Sequence, residues 1–304
     1  MELAIEEIAR AGAMHVEPAF IRGYVDIDEG MFTRANASKL RVRAETAGLG
    51  IKAVSAHLDL SGPDAVDALS RRVTFAAGIG ASFLTTNAGP MKNREGIRRT
   101  IDAVLPRLEQ ADIALALENP GHGKGDLLDS ARSGASFIRE IGSRHICLNH
   151  DAGNVFTYSQ EATQPAEDIT AAIHAVGHAH LKDVVSRDAG WKFCALGRGS
   201  VDYQKYWAIL PSALPVSIEI PLRLERPQRR DRQRRNTPVD INEIRDTLQR
   251  SLHFVTMLER FTVSRKRRTA LSPCFLRNSG RKTAHTFPGI ALGTTLDSGS
   301  NDAI

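Results

Sequence analysis

Cysteine is scarce in this sequence and carries no pattern. Cys147, Cys194 and Cys274 are the only three in 304 residues, and none stands in a C-x-x-C spacing. That argues against a disulfide framework and a thiolate zinc site, and for a reducing, cytoplasmic compartment. Aromatic residues are also few, at 6%. None is interleaved with the arginine runs, so no stacking platform for a single-stranded nucleic acid is present. No apolar run approaches the ~20 residues that cross a bilayer, so no membrane partner is expected. The start, Met1-Glu2-Leu3-Ala4-Ile5-Glu6-Glu7, has neither the basic nor the apolar region of a signal peptide.

What is present is ordinary in bulk and uneven in detail. Apolar residues make up 42% and charged residues 25%. The length suits one α/β barrel, which takes roughly 250 residues. The formal charge is +5. Much of the excess lies in Arg223, Arg226, Arg229, Arg230, Arg232, Arg234 and Arg235, and then in Arg265-Lys266-Arg267-Arg268. Such runs read as a solvated loop and a basic tail, or as a nucleic-acid footprint.

Short apolar runs occur at residues 14–18, 51–58, 82–87, 113–119, 145–151, 175–183 and 216–221. Helical patterns occupy 3–11, 38–47, 65–77, 94–109, 127–141, 166–175, 203–209 and 241–260. Strict alternation of the two predicts a parallel sheet, here a (β/α)8 TIM-type barrel. The strands are apolar on both faces, as in a sheet covered by helices. They number seven, and the chain opens inside a helix that stops at Gly12. The first strand is therefore missing, which implies a start lying upstream or a barrel open at one seam. Residues 1–260 read as the barrel domain. Residues 261–304 lack amphipathic periodicity and read as a basic, irregular, flexible C-terminal tail.

Polar residues gather at the C-terminal ends of the predicted strands: His57, Asn87, Glu118, Asp151, His180 and Glu219. A parallel barrel builds its active site at those ends. Alone, a strand-end glutamate is most often a cap or an ion-pair partner; the repetition is what points to a site. His178 and His180 share one strand face, because residues two apart point the same way. Two glutamates, an aspartate and a histidine form a hard, oxygen-rich donor set. It suits one divalent metal ion, Mn²⁺, Mg²⁺ or Co²⁺, and would also accept Zn²⁺. The stretch Gly121-His122-Gly123-Lys124-Gly125 reads as a flexible loop over the site.

Five motifs carry a family resemblance: Leu117-Glu118-Asn119, Asp151-Ala152-Gly153-Asn154, His178-Ala179-His180-Leu181-Lys182-Asp183, Gly197-Arg198-Gly199-Ser200-Val201-Asp202 and Ile218-Glu219. Over residues 1–260 the chain resembles the sugar phosphate isomerase/epimerase family of xylose-isomerase-like barrels. Its relatives include ketose 3-epimerases, inosose dehydratases and endonuclease IV. The resemblance implies Glu118, Asp151, His180 and Glu219 as ligands, with the second histidine of the motif preferred over His178. His57 matches a histidine that many members place near the substrate. The family also implies a homo-oligomer.

Departures narrow this. Many members carry a histidine where Asn154 stands. The Asp-x-His pair of endonuclease IV is matched by Trp191-Lys192-Phe193, and another of its histidines by Asn87. Two of the three zinc sites of that nuclease lose ligands, which argues against a nucleic-acid partner. The expected activity is isomerisation or epimerisation of a small ketose or ketose phosphate through a metal-stabilised enediolate. Glu118 and Glu219 would serve as the proton-transferring pair. His57, Asn87, His178, Lys182 and Arg223 are the expected substrate contacts, with Arg223 and Arg226 placed for a phosphate. The alternatives are a dehydratase of the inosose type, an endonuclease-IV-like DNA-binding protein and an inactive remnant.

Overall fold

The computed structural model describes residues 2–22, 27–269, 282–287 and 290–295, with side chains for 3–22 and 27–260. Helix α1 (Glu2–Arg10) leads into β1 (His15–Phe20), followed by α2 (Arg34–Thr46), β2 (Ala53–Ala56), α3 (Ala65–Ile79), β3 (Phe83–Asn87), α4 (Arg94–Ala111) and β4 (Ala114–Glu118). Next come α5 (Ala131–Ile141), β5 (Ile146–Asp151), α6 (Ala152–Tyr158), α7 (Pro165–Thr170) and β6 (Val176–Leu181). The chain continues through β7 (Asp183–Arg187), β8 (Gly190–Cys194), α8 (Tyr203–Ile209), β9 (Val216–Glu219), β10 (Leu224–Pro227), β11 (Gln233–Arg234) and α9 (Ile241–Thr269). Strands β12 (Lys282–Phe287) and β13 (Ile290–Thr295) are the last described elements.

Seven strands, β1-β2-β3-β4-β5-β6-β9, pair side by side and all parallel. They form a TIM-type α/β barrel with helices between the strands. Among the described residues no strand precedes α1. The backbone of β12 pairs parallel with β9, β13 pairs antiparallel with β12 and with β1, and the ring closes. Both strand edges beside the seam are thereby paired rather than left as bare rows of N–H and C=O groups. The sequence reads as an irregular tail from 261 onward. Residues 270–281, 288–289 and 296–304 of that stretch lie outside the described residues, while the α9 backbone continues to Thr269.

Local chemistry explains the element ends. Ser130 and Ser133 form a reciprocal capping box at the start of α5, which stops at Gly142 in the left-handed conformation. Gly80 ends α3 in the same way. Every residue of β2 and β9 is buried, as expected of strands covered on both faces. The outward faces meet helix residues such as Leu69, Val73, Ile101, Leu108 and Phe137 in one continuous core.

The barrel interior is different. Alternate side chains on each strand point inward. The upper inward positions are Glu118, Asp151, His180 and Glu219; one step below lie Ala116, Asn149, His178 and Ser217, all buried. Branched aliphatics usually fill such layers. Here the lower layer is largely small or polar, which leaves room for hydrogen bonds beneath the site.

The loops after β6 and β9 join as a four-stranded antiparallel sheet of order β11-β10-β8-β7. Trp191 and Phe193 are buried in this sheet. Most of the neighbouring arginines are engaged within the chain. Arg229 meets Glu161 at 2.7 Å, Arg232 donates to the Arg22 carbonyl at 3.0 Å, and Arg226 is almost fully buried. No helix among the described residues is long and apolar enough to cross a membrane.

Candidate metal centre

Strands β4 and β5 are locked together at their upper ends. The Asp151 N–H donates to Asn119 Oδ1 at 2.8 Å, and Asn119 Nδ2 donates back to the Asp151 carbonyl at 3.1 Å. This places Glu118 beside Asp151. Asp151 also caps α6: its Oδ1 accepts the Asn154 N–H at 2.9 Å. Its other oxygen, Oδ2, is left to face the site. Gly153 allows the close packing that follows, since a Cβ there would meet the Lys182 carbonyl oxygen at 2.6 Å.

Asp183, at the end of the histidine motif, organises the next loop. Its carboxylate accepts the N–H groups of Val184, Gly197, Gly199 and Val201. The Gly197–Val201 loop is thereby tied to the end of β6, next to His180 and Lys182.

Glu118, Asp151, His180 and Glu219 converge, each offering one ligand atom, and those atoms all lie within 4.8 Å of one another. All four residues are buried. The His180 imidazole stands between the glutamates: Nδ1 is 3.5 Å from Glu118 Oε1 and 3.7 Å from Glu219 Oε2. Glu118 Oε2 and Asp151 Oδ2 are fully buried and meet only the side chains of His57 and Lys182, and the buried His180 Nδ1 makes no hydrogen bond. Burying such atoms with only ionic neighbours is unfavourable unless a cation joins them. Burial, opposed by Lys182 and reinforced by the charges of Glu219 and Glu118, pushes the Asp151 carboxyl up to about 8. Burial likewise works against ionisation of Glu118, but His57 and His180 outweigh it and hold that carboxyl well below the usual range. Three carboxylates and an imidazole with open atoms fit a hard divalent cation.

The Lys182 ammonium lies against two of these carboxylates, 2.5 Å from Asp151 Oδ2 and 2.9 Å from Glu219 Oε2. It supplies positive charge to the cluster from the chain itself. His57, just past β2, places Nε2 2.8 Å from Glu118 Oε2. Asn154 donates to Glu118 Oε1 at 3.2 Å and to the Asn119 carbonyl at 3.0 Å. The Asn154 amide therefore orients a glutamate of the cluster.

A cavity of about 760 Å³ opens above the cluster. That is within the ~300–1,000 Å³ of small-molecule sites. His57, Asn87, Glu118, Lys182 and Glu219 line it, as do Asn154, His122, Arg226 and Arg232. Burial and the charges of Arg226 and Arg232 lower the His122 imidazole to about 4, so it is neutral at physiological pH. Two expected substrate contacts are not in the lining. Arg223 lies outside it, and Arg226, three residues on, takes the place at the wall, donating to the Gly121 carbonyl. His178 lies beneath, with no exposed surface, bonded to Asn149 Oδ1 at 2.9 Å and Ser217 Oγ at 3.1 Å.

One buried carboxylate was not singled out from the sequence. Glu17, in the middle of β1, reaches His180 Nε2 at 3.1 Å and accepts from Ser55 at 2.8 Å and from Ser217. Burial opposes its ionisation, but His180, His178 and these hydrogen bonds pull its carboxyl down to about 2. Its signal was present: an acidic residue inside an apolar strand is rarely buried without a partner.

A family model described as xylose isomerase-like TIM barrel matches residues 5–236. No curated protein matches the sequence significantly. Solved structures with the same fold include an L-ribulose 3-epimerase, at TM-score 0.65 and 19% identity, over 90% of this chain and 93% of that one. A D-psicose 3-epimerase from Clostridium cellulolyticum H10, in a structure with D-tagatose, aligns at TM-score 0.63 and 14% identity, over 84% and 93%. A probable 3-DHS dehydratase from Bacillus anthracis aligns at TM-score 0.60 and 14% identity, over 83% and 92%.

Proposed function

The chain belongs to the xylose isomerase-like TIM barrel family, and from that premise we propose that it is a divalent-metal-dependent isomerase or epimerase of a small ketose or ketose phosphate. The observation that carries this reading is the convergence of Glu118, Asp151, His180 and Glu219, with Glu118 and Glu219 lining the cavity, Asp151 and His180 outside its lining, and the buried His180 Nδ1 left without a hydrogen bond. These four residues would hold the metal ion. When bound, the ion supplies Lewis-acid polarisation of a carbonyl and stabilises negative charge as it develops on the substrate oxygens.

The chain's own groups account for the proton transfers. Glu118 and Glu219 flank the His180 ring. One accepts the proton from the carbon beside the carbonyl, and the other returns a proton. Return to the opposite face of the same carbon inverts it; return to the carbonyl carbon, with the neighbouring hydroxyl giving up its proton and the former carbonyl oxygen gaining one, moves the carbonyl. His57 stands against Glu118 and is placed to pass its proton on to a substrate oxygen. Lys182, with Glu219, donates to a hydroxyl. Asn154 holds the Glu118 carboxylate in its rotamer. Arg226 and Arg232 stand in the cavity wall where a phosphate or distal hydroxyl would reach.

The test is incubation of the Mn²⁺-supplemented protein in D₂O with a panel of ketoses and ketose phosphates. Deuterium at the carbon next to the carbonyl, with a new diastereomer or regioisomer, is the expected result. Exchange into none of the panel would count against the reading. A second reading is a dehydratase, supported by the fold match to the probable 3-DHS dehydratase. Loss of water from the product distinguishes it.

A further inference from the structure

We infer that Glu17 is a positioning residue for the metal centre: it fixes the tautomer and orientation of His180, so that Nδ1 is presented to the ion. This rests on the reading of Glu118, Asp151, His180 and Glu219 as a metal site. Two faces of one imidazole carry the argument. Nε2 lies 3.1 Å from Glu17 Oε1, whereas Nδ1 is buried, makes no hydrogen bond and points at the two glutamates. An ionised carboxylate can only accept, so Nε2 must carry a hydrogen. In the metal-free chain Glu17 and Glu118 hold the imidazole well above its usual range against burial, so Nδ1 carries a hydrogen as well; a metal ion would displace that hydrogen and take the Nδ1 lone pair, while the Nε2 hydrogen stays on Glu17.

Glu17 is itself held in place. Ser55 on β2 donates to the same Oε1 at 2.8 Å, and Ser217 on β9 donates to Oε2. His178 Nε2 stands 3.6 Å from Oε2, and its Nδ1 is taken by Asn149 at 2.9 Å. The carboxylate therefore spans β1, β2, β6 and β9 from within the barrel. Glu17 has no exposed surface and is not among the residues that line the cavity. It cannot touch substrate and acts only through His180.

A second metal ion at Glu17, His178 and His180 would be the competing reading, since those three also lie within 4.8 Å of one another. Both Glu17 oxygens already accept hydroxyl hydrogen bonds, and His178 Nε2 already has Ser217 at 3.1 Å. The lower cluster is satisfied as it stands, whereas the upper one is not.

The test uses the full chain, Mn²⁺ titration and the variant Glu17→Gln. Glutamine keeps the shape but removes the negative charge behind the imidazole. Loss of such an outer partner weakens metal binding by about 10–100-fold. That weakening is expected in Glu17→Gln, together with a cooperative melting transition in chelator that shows the barrel still folds. A Glu17→Gln affinity within about threefold of the unsubstituted chain would overturn the assignment while leaving the metal-centre reading intact. Absence of Mn²⁺ binding by the unsubstituted chain would overturn both. A second measurement does not depend on the variant folding. In the Zn²⁺-loaded unsubstituted chain, ¹⁵N NMR of His180 should show Nε2 protonated and Nδ1 bound to the metal. The reverse pattern would overturn the proposal.

Discussion

The two sides of the barrel divide the work unequally. Strands β4, β5, β6 and β9 are neighbours in the sheet and carry all four candidate ligands at their upper ends. Strands β1, β2 and β3 carry none of these ligands at the corresponding positions. They carry Glu17 below the site, and His57 and Asn87 in the cavity wall. In the proposed reading one side binds the metal and the other orients and shapes the site. The cluster is buried, so its electrostatics are set by a few named neighbours rather than by solvent. That makes the division testable by substitution on either side.

The largest effects are expected on the binding side. His180→Ala or Glu219→Gln should reduce Mn²⁺ binding severely and lower kcat/KM by at least ~10³-fold, because each would remove a proposed ligand and Glu219 is also a proposed proton-transfer group. Equal metal affinity in these variants would break the comparison at once. On the wall side, His57→Gln should lower kcat by about 10²-fold while leaving Mn²⁺ affinity nearly unchanged. A loss of affinity instead would move His57 to the binding side.

Proton competition gives a smaller, graded effect. In the metal-free chain the Asp151 carboxyl is held up to about 8. Below that pH it is protonated and must release its proton when a metal binds. Metal affinity should therefore fall as pH drops, by about tenfold or more per unit, because His180, held well above its usual range against burial by Glu17 and Glu118, must give up its Nδ1 hydrogen as well. Calorimetry in buffers of different ionisation enthalpy reads this directly. The smallest effect is expected at Arg223. It lies outside the cavity lining, so Arg223→Ala should change kcat/KM by less than about twofold, whereas Arg226→Ala should raise KM. Matching effects at both positions would mean that the wall is drawn wrongly.

How legible each part was in the sequence follows from where its information lies. Glu118, Asp151, His180 and Glu219 each end an apolar run, so strand periodicity alone puts them at the mouth of a parallel barrel. Glu17 escaped because it sits mid-strand and its partner His180 is 163 residues away. Only the closing of the ring brings them together. Helix α6 was missed because it starts directly on a candidate ligand, with Asp151 serving as both strand end and cap. The β7-β8-β10-β11 sheet was missed because its strands are short and interrupted by arginines and a Trp-Lys-Phe stretch. The arginine run looks solvated in the sequence. Burial of Arg226 but not Arg223 depends on the register of β10 against β8, which pairs Arg226 with Trp191. His178 matched the face of His180, but the layer beneath the mouth is sealed, and sequence spacing does not carry depth.

The most direct test of the central claim is an anomalous difference map of crystals loaded with Mn²⁺, collected at the manganese edge. The expected result is a single peak bounded by Glu118, Asp151, Glu219 and the Nδ1 of His180. A map with no peak there, or with the peak at Glu17, His178 and the Nε2 of His180, would contradict it.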